Sequence, residues 1–286
     1  MDDNALNYRR VNTHLEYLAC ERLQQETWGF SDLSVVPGHV LLTFQKRGGI
    51  VLGAFDQGRL VGFIFGFVGQ LANGTFVHNS VMSAVQTAYR NRGVAYRLKC
   101  EQRKLALDQG FSLMTWTFDP LQALNAHFNV NKLGVVVCQY ARDLYGRFRD
   151  HINQGLPTDR FSVAWWLRCE RVRRRLASTV DHTKPKPPQP HNAPITGKSM
   201  WPEPSVAIPN LKGLDVLHLA IPSDINALKG ADVALALRWR LHVRAWCEAA
   251  FEAGFTLHDF ALDRARGVGV YTLSRVDLER LLREDG

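Results

Sequence analysis

Apolar and polar positions follow two rhythms along this 286-residue chain. Over residues 14–26, Leu15, Leu18, Ala19 and Leu23 recur at helical spacing and predict a helix with one apolar face. Residues 6–12 read as a short strand before it. Pro37 is suited to open a second helix, since its missing N–H costs nothing in a first turn, and Gly48-Gly49 ends it. Two apolar runs, 50–55 and 60–67, flank Asp56-Gln57-Gly58-Arg59, the pattern of an antiparallel hairpin. A third strand, 76–85, follows the Asn73-Gly74 turn. Next come a helix over 95–109 stopped by Gly110 and a strand over 113–118. A helix over 121–133 closed by Gly134 and strands over 135–141 and 161–167 complete the series. The order is β-α-α-β-β-β-α-β-α-β, a mixed α/β (α+β) arrangement with both hairpins and crossovers.

Between 178 and 212 the pattern changes. Eight prolines, from Pro185 to Pro209, fall where apolar residues are few, so the stretch reads as an extended linker or strap. Beyond it a strand over 216–221 precedes a long helix over 231–253 ending at Gly254. A hairpin of 256–262 with 270–273 and a helix over 275–283 follow. The expected organisation is therefore a domain over 1–177, a linker over 178–212 and a smaller α/β subdomain over 213–286. The β-α-β-β order of that subdomain repeats the order of 113–167 and points to a degenerate half-copy, extending the first sheet or packing beside it. On its long helix Leu235, Trp239, His242, Trp246 and Ala249 form a stripe that reads first as core, and second as a face for a homodimer.

Composition narrows the class. Hydrophobic residues make up 46% and charged residues 22%, as in a folded globular protein. The start, MDDNALNYRR, lacks the basic-then-apolar order of an export signal, and the longest apolar run, 60–69, is half the ~20 residues a membrane span needs. Cys20, Cys100, Cys138, Cys169 and Cys247 are scattered without a C-x-x-C pair, which argues against a metal site or a disulfide framework and for a reducing cytoplasm. The net charge of +8 arrives without a nucleic-acid recognition motif, and much of it lies within 168–175. A polyanionic cosubstrate accounts for it as well.

The most informative stretch runs from Val77 to Ala95: a strand, a loop and the opening of a helix. Backbone N–H groups at such a helix start are unpartnered and sit at the positive end of its dipole, which makes an anion site. Arg90-Asn91-Arg92-Gly93-Val94-Ala95 matches the R/Q-x-x-G-x-G/A signature of the GNAT superfamily of N-acetyltransferases, and residues 6–167 resemble that family in element order. The resemblance implies a GNAT-like acyl-CoA N-acyltransferase fold. It assigns the diphosphate of coenzyme A to Arg90, Asn91, Arg92, Gly93, Val94 and Ala95. It pairs the pantetheine arm with the backbone of Met82, Ser83, Ala84 and Val85. The family's strand splays from the next one, which places the acyl group near Met82, Ser83 and Trp116.

Transfer to an amine needs a base, and the departing thiolate needs a proton. Where the family often supplies a Tyr acid, this chain has Val130, and Ala123 stands where an Asn is common. Asn125, Asn129 and Asn131 are candidate substitutes as hydrogen-bond partners of the cofactor or the substrate. His78 and Ser80, one strand period apart, and Asp119, at a strand end, are candidate bases, each with a plain structural reading beside it. Tyr140 is a candidate acid. The loop 143–160, with Tyr145, Arg147, Arg149, His151 and Asp159, stands where the family shapes its acceptor site. No Ser or Cys lies in a nucleophile elbow, so transfer is expected to be direct. The expectation is a cytoplasmic, metal-free acetyltransferase using acetyl-CoA and a small amine acceptor. The alternative is a coenzyme A thioester-binding sensor or scaffold that has lost turnover.

Overall fold

The computed structural model describes residues 6–146, 155–177, 187–192, 203–205 and 210–283. They form two compact units that divide within one strand, between Trp116 and Thr117, and not at the proline-rich stretch.

The first unit contains β1 (Asn7–Arg10), α1 (His14–Trp28), α2 (Gly38–Lys46), β2 (Ile50–Asp56), β3 (Arg59–Gln70), β4 (Phe76–Val85), α3 (Val94–Asp108) and the start of β5 (Leu113–Phe118). Thr13 and Glu16 form a reciprocal cap at the start of α1, and Gly29 closes its end in the left-handed conformation. The α1 prediction needs one correction. Leu15 is exposed, and the buried face is Tyr17, Cys20, Leu23 and Gln24. Gln24 is held there because its amide accepts from Val36 N and donates to Val36 O.

Strands β1 to β4 form an antiparallel meander, and β4 pairs in parallel with β5. Side chains alternate faces along β3. Phe63 and Phe65 join Tyr17, Cys20, Leu23 and Leu41 in one apolar cluster. Gly62 and Gly66 turn toward α3, where an added Cβ would meet Val94 and Gln102. A bulge interrupts β4: Phe65 pairs with Met82 but Gly66 with Ser80, leaving Val81 as the extra residue. One inserted residue reverses the alternation. His78 and Ser80 therefore face α3, whereas Met82 and Ala84 belong to the α1 and α2 side.

The second unit contains the end of β5, α4 (Ala123–Ala126) running into a π-helical turn (His127–Lys132), β6 (Val136–Ala141), β7 (Arg160–Trp166), α5 (Glu170–Ala177), β8 (Val216–Pro222), α6 (Ile225–Ala231), α7 (Val233–Glu252), β9 (Thr256–Asp263), β10 (Val268–Ser274) and α8 (Leu278–Arg283). The single helix expected over 121–133 is thus a short α-helix and a wider turn. The helix expected over 231–253 begins at Val233, and Asp232 caps it by accepting from Leu235 N at 2.8 Å.

In this unit the strands run β5-β7-β6-β9-β10-β8, and β6 pairs with β9 at Val137 and Leu257. The C-terminal strands thus extend the sheet at β6, and the order β5-β7-β6 is mirrored by β8-β10-β9. Leu235, Trp239 and Trp246 of the α7 stripe are buried, which supports the core reading. Trp165 and Trp166 point to opposite faces, and buried Trp165 donates to Leu133 O at 2.6 Å. Phe161 anchors a ring cluster with Phe118, Tyr140, Phe251 and Tyr271. No described helix is long and apolar enough to cross a membrane.

Candidate functional site

The site is built on the edge of β4 that faces β5. Only two rungs join these strands, His78 with Met114 and Asn79 with Thr115. From Ser80 to Val85 the edge has no strand partner among the described residues. Gln86 N–H donates to Val61 O at 2.9 Å, which sets the phase of the β3–β4 ladder. Counting back, Ala84 and Met82 turn their N–H and C=O groups to β3, and Val85 and Ser83 turn theirs to the open edge. The Val85 carbonyl is met by Arg90 Nε at 3.1 Å. The bulge thus gives a short run of outward backbone donors and acceptors, the groups an extended amide-bearing arm would pair with.

This edge leads into the loop that opens α3. A 3₁₀ turn over Thr87–Tyr89 is followed by Asn91 at φ 60° and Gly93 at φ 78°, two residues in the left-handed region. Gly93 is the residue before the helix and offers no side-chain cap, and the first turn carries no acid. Its carbonyl accepts from Arg97 N, the first bond of the helix, so the N–H groups of Val94 and Ala95 precede the intrahelical ladder. A Cβ at Gly93 would meet nothing within 4 Å. Conformation, not crowding, requires glycine here, and the space above the turn is open. Arg90 and Arg92 are exposed beside it, and Arg92 lies 5.4 Å from the Tyr89 ring centroid. Tyr89 is tied in turn to Asp56 at 2.5 Å. An uncapped helix start, an open turn and two cations fit a diphosphate.

Beneath the edge, on the α3 side, lies a buried polar chain. Lys99 Nζ donates to Ser80 Oγ at 2.7 Å, Ser80 donates to Gln102 Oε1 at 2.9 Å, and Gln102 Nε2 lies 3.3 Å from His78 Nε2. Lys99 Nζ also sits 3.7 Å from the Trp116 ring centroid. His78 is 0% exposed, and its Nδ1 has no hydrogen-bond partner. Burial, with Lys99 and Arg10 nearby, pushes the imidazole down to about 4, so it is neutral at pH 7. His78 and Ser80 thus belong to an interior network on the α3 face. Lys99 and Gln102 escaped the sequence reading because both are ordinary surface residues of helices.

The remaining candidates lie in the second unit, each with a structural partner. Asp119 accepts from Arg240 Nη2 at 2.7 Å and from Leu121 N at 2.8 Å, so it anchors a buried cation and starts a turn. Tyr140 donates to Asp159 Oδ2 at 2.7 Å, and burial first, then Cys247 and Asp159, push its phenol well up. Its proton is committed. Asp159 is fully buried. Burial alone would raise its pKa, but hydrogen bonds from Arg244 and Tyr140 outweigh that and hold it below the ordinary value. It accepts from Asp143 N as well, which makes it the clasp of its loop. Tyr145 shares a hydrogen bond with Thr117 Oγ1 at 2.9 Å. Arg147, Arg149 and His151 lie outside the described residues.

Asn125 is exposed on α4. Asn131 donates to Phe260 O at 2.6 Å, and Asn129 is buried. Val130 is 0% exposed and faces the interior. No cluster of three or more His, Cys, Asp or Glu among the described residues is placed to hold a metal ion.

No family model matches the chain, and no curated protein matches it. Among solved structures it is similar to the NatC complex bound to Gag peptide and CoA, at 14% identity and a TM-score of 0.44 over 56% of this chain and 96% of that one. It is likewise similar to the ribosomal-protein-S18-alanine N-acetyltransferase from Escherichia coli, at 14% identity and a TM-score of 0.44 over 56% and 92%. An acetyltransferase of the GNAT family from Streptococcus pneumoniae is similar at 17% identity and a TM-score of 0.43 over 56% and 97%.

Proposed function

We propose that the first unit binds a coenzyme A thioester, with the pantetheine arm along the open edge of β4 and the diphosphate at the start of α3, and that the protein transfers the acyl group, acetyl first among candidates, to the amine of a small acceptor. The observation that carries this reading is the continuity of the bulged, unpaired β4 edge with the uncapped, acid-free first turn of α3 beside Arg90 and Arg92. The outward N–H and C=O of Ser83 and the outward N–H of Val85, whose carbonyl Arg90 already meets, suit the amides of pantetheine. The N–H groups of Val94 and Ala95 and the two guanidinium groups suit phosphate oxygens. When bound, the cosubstrate would supply the activated acyl carbon, and the chain would hold it in register at the vertex between β4 and β5.

A second reading is favoured by two particulars. Val130 stands buried where the resembling family often carries its acid, and Tyr140 is committed to Asp159. Both fit a protein that holds a thioester as sensor or scaffold without rapid turnover. Incubation with acetyl-CoA and a panel of small amines, following free thiol release, separates the readings. Acceptor-dependent release supports the transferase, and saturable binding without release supports the sensor.

A further inference from the structure

We propose that Lys99 is a site of self-acylation, its amine taking the acyl group of a coenzyme A thioester held along β4. The inference rests on the coenzyme A reading above and adds to it a covalent acceptor inside the chain.

Lys99 is 5% exposed on the second turn of α3. Its amine touches Ser80 and the face of Trp116. Those two residues are the first of their strands beyond the last β4–β5 rung, Asn79 with Thr115. The amine therefore lies at the vertex where the strands part, the place the bulge turns toward the arm of a bound thioester. Among the described residues no carboxylate pairs with it. The hydrogen bonds that leave it run outward, from Lys99 to Ser80 and from Ser80 to Gln102.

Burial without a counter-ion is costly for an ammonium and lowers the amine well below its ordinary pKa, which shifts it toward the neutral form that has a free lone pair. The room for this arrangement is built in. A side chain at Gly66 would strike His78 Nε2, Asn79 O and Gln102 Nε2, so the strand opposite the bulge has given up its Cβ to the chain of polar groups. A lysine needed only to fill space would require none of this.

The step balances without any further reagent. The lone pair of Nζ attacks the thioester carbon, a C–N bond forms and the C–S bond breaks. The sulfur leaves with the electron pair, and the proton lost from Nζ passes to it. The products are an Nε-acyl-lysine and the free thiol of coenzyme A. The amide is uncharged, so burial that disfavours the ammonium favours the product.

The test is incubation of the full chain with acetyl-CoA, followed by intact-mass and peptide analysis, with calorimetric binding measured in parallel. The expected result is one acetyl group per chain, on Lys99, saturating with acetyl-CoA. Its rate should rise less steeply with pH between 7 and 9 than that of an exposed lysine, which gains about tenfold per unit. Lys99→Met and Lys99→Arg should bind acetyl-CoA yet stay unlabelled at this position. Binding by the native chain with no label on Lys99 overturns the inference and leaves the cosubstrate reading intact. Label that rises tenfold per pH unit marks an ordinary charged lysine and overturns it too. Absence of binding removes both.

Discussion

Replacement of Gly66 by alanine tests whether the polar chain under the bulge is a packed, specified feature. The new Cβ would lie 2.7 Å from Asn79 O and 2.9 Å from Gln102 Nε2, and closer still to His78 Nε2. Asn79 O is backbone within the last β4–β5 rungs, so relief must come from moving the strand or from breaking the Gln102 contact to His78. Overpacking of this kind costs roughly 1–3 kcal/mol. A buried hydrogen bond lost without replacement costs about 1–3 kcal/mol more. The sum, about 4 kcal/mol, is a large share of the ~5–15 kcal/mol that holds a typical fold. With a urea slope of about 3 kcal/mol per molar, the transition of the first unit should fall by roughly 1.3 M. Gly93→Ala is the comparison. There the Cβ meets nothing, and only the left-handed backbone at φ 78° is strained, at about 1–2 kcal/mol. Adding Gln102→Ala to Gly66→Ala should recover part of the loss, since truncation makes room and the two changes are coupled. If Gly66→Ala loses no more than Gly93→Ala, the close approach at the bulge is not what the geometry indicates, and the argument for a specified polar chain fails.

Both buried bases have depressed pKa values, so the fold gains stability as pH rises through their titration. His78 titrates near 4 folded against 6.5 in the unfolded chain, so the unfolded state takes the proton first as pH falls. Stability is full above pH 6.5 and drops by about 3 kcal/mol on the way to pH 4, a loss that acid titration of a His78→Gln variant should lack. Lys99 is depressed too, so its burden is greatest below its folded pKa and eases as pH rises toward ~10.4. Lys99→Met should therefore be more stable than the native chain at neutral pH, with the gap closing by pH 10. In the second unit, Asp119→Ala leaves the buried Arg240 guanidinium without its carboxylate and should cost about 3–5 kcal/mol in thermal or urea unfolding. A stable Asp119→Ala protein would return Asp119 to the list of candidate bases. Val130→Tyr, which restores the resembling family's residue, forces a ring into a filled interior and should destabilise by about 1–3 kcal/mol without creating an acid.

Element types were legible wherever one residue decided them: Gly110 and Gly254 as helix stops, Asn73-Gly74 as a turn, the apolar run of β3. The loop that opens α3 was legible because its glycine is demanded by a backbone angle that few other residues tolerate. The bulge at Val81 was not, since it is a matter of register between two strands and nothing in the side-chain string marks it. Its effect was large: it puts Ser80 and Met82 on opposite faces, where strict alternation would align them. The boundary between the two compact units, at Trp116 and Thr117, carries no sequence signal for a related reason. Prolines announce an extended segment, but the pairing of β6 with β9 joins what the linker separates in sequence. Asp119, Tyr140 and Asp159 looked chemical in isolation and proved to be mutual or cationic partners, which only proximity reveals. Lys99 is the converse. One lysine among the charged residues of α3 carries no signal until the fold buries it.

The central claim is that the open β4 edge and the start of α3 form a binding site for a coenzyme A thioester. The most direct measurement is calorimetric titration with acetyl-CoA of the native chain and of an Arg92→Glu, Gly93→Asp variant. Aspartate tolerates the left-handed backbone at Gly93 better than most residues do, folding of the variant is verified by circular dichroism, and the two carboxylates repel a diphosphate. Micromolar binding by the native chain, and none by a folded variant, is the result expected. Equal binding by both, or none by the native chain, would contradict the account.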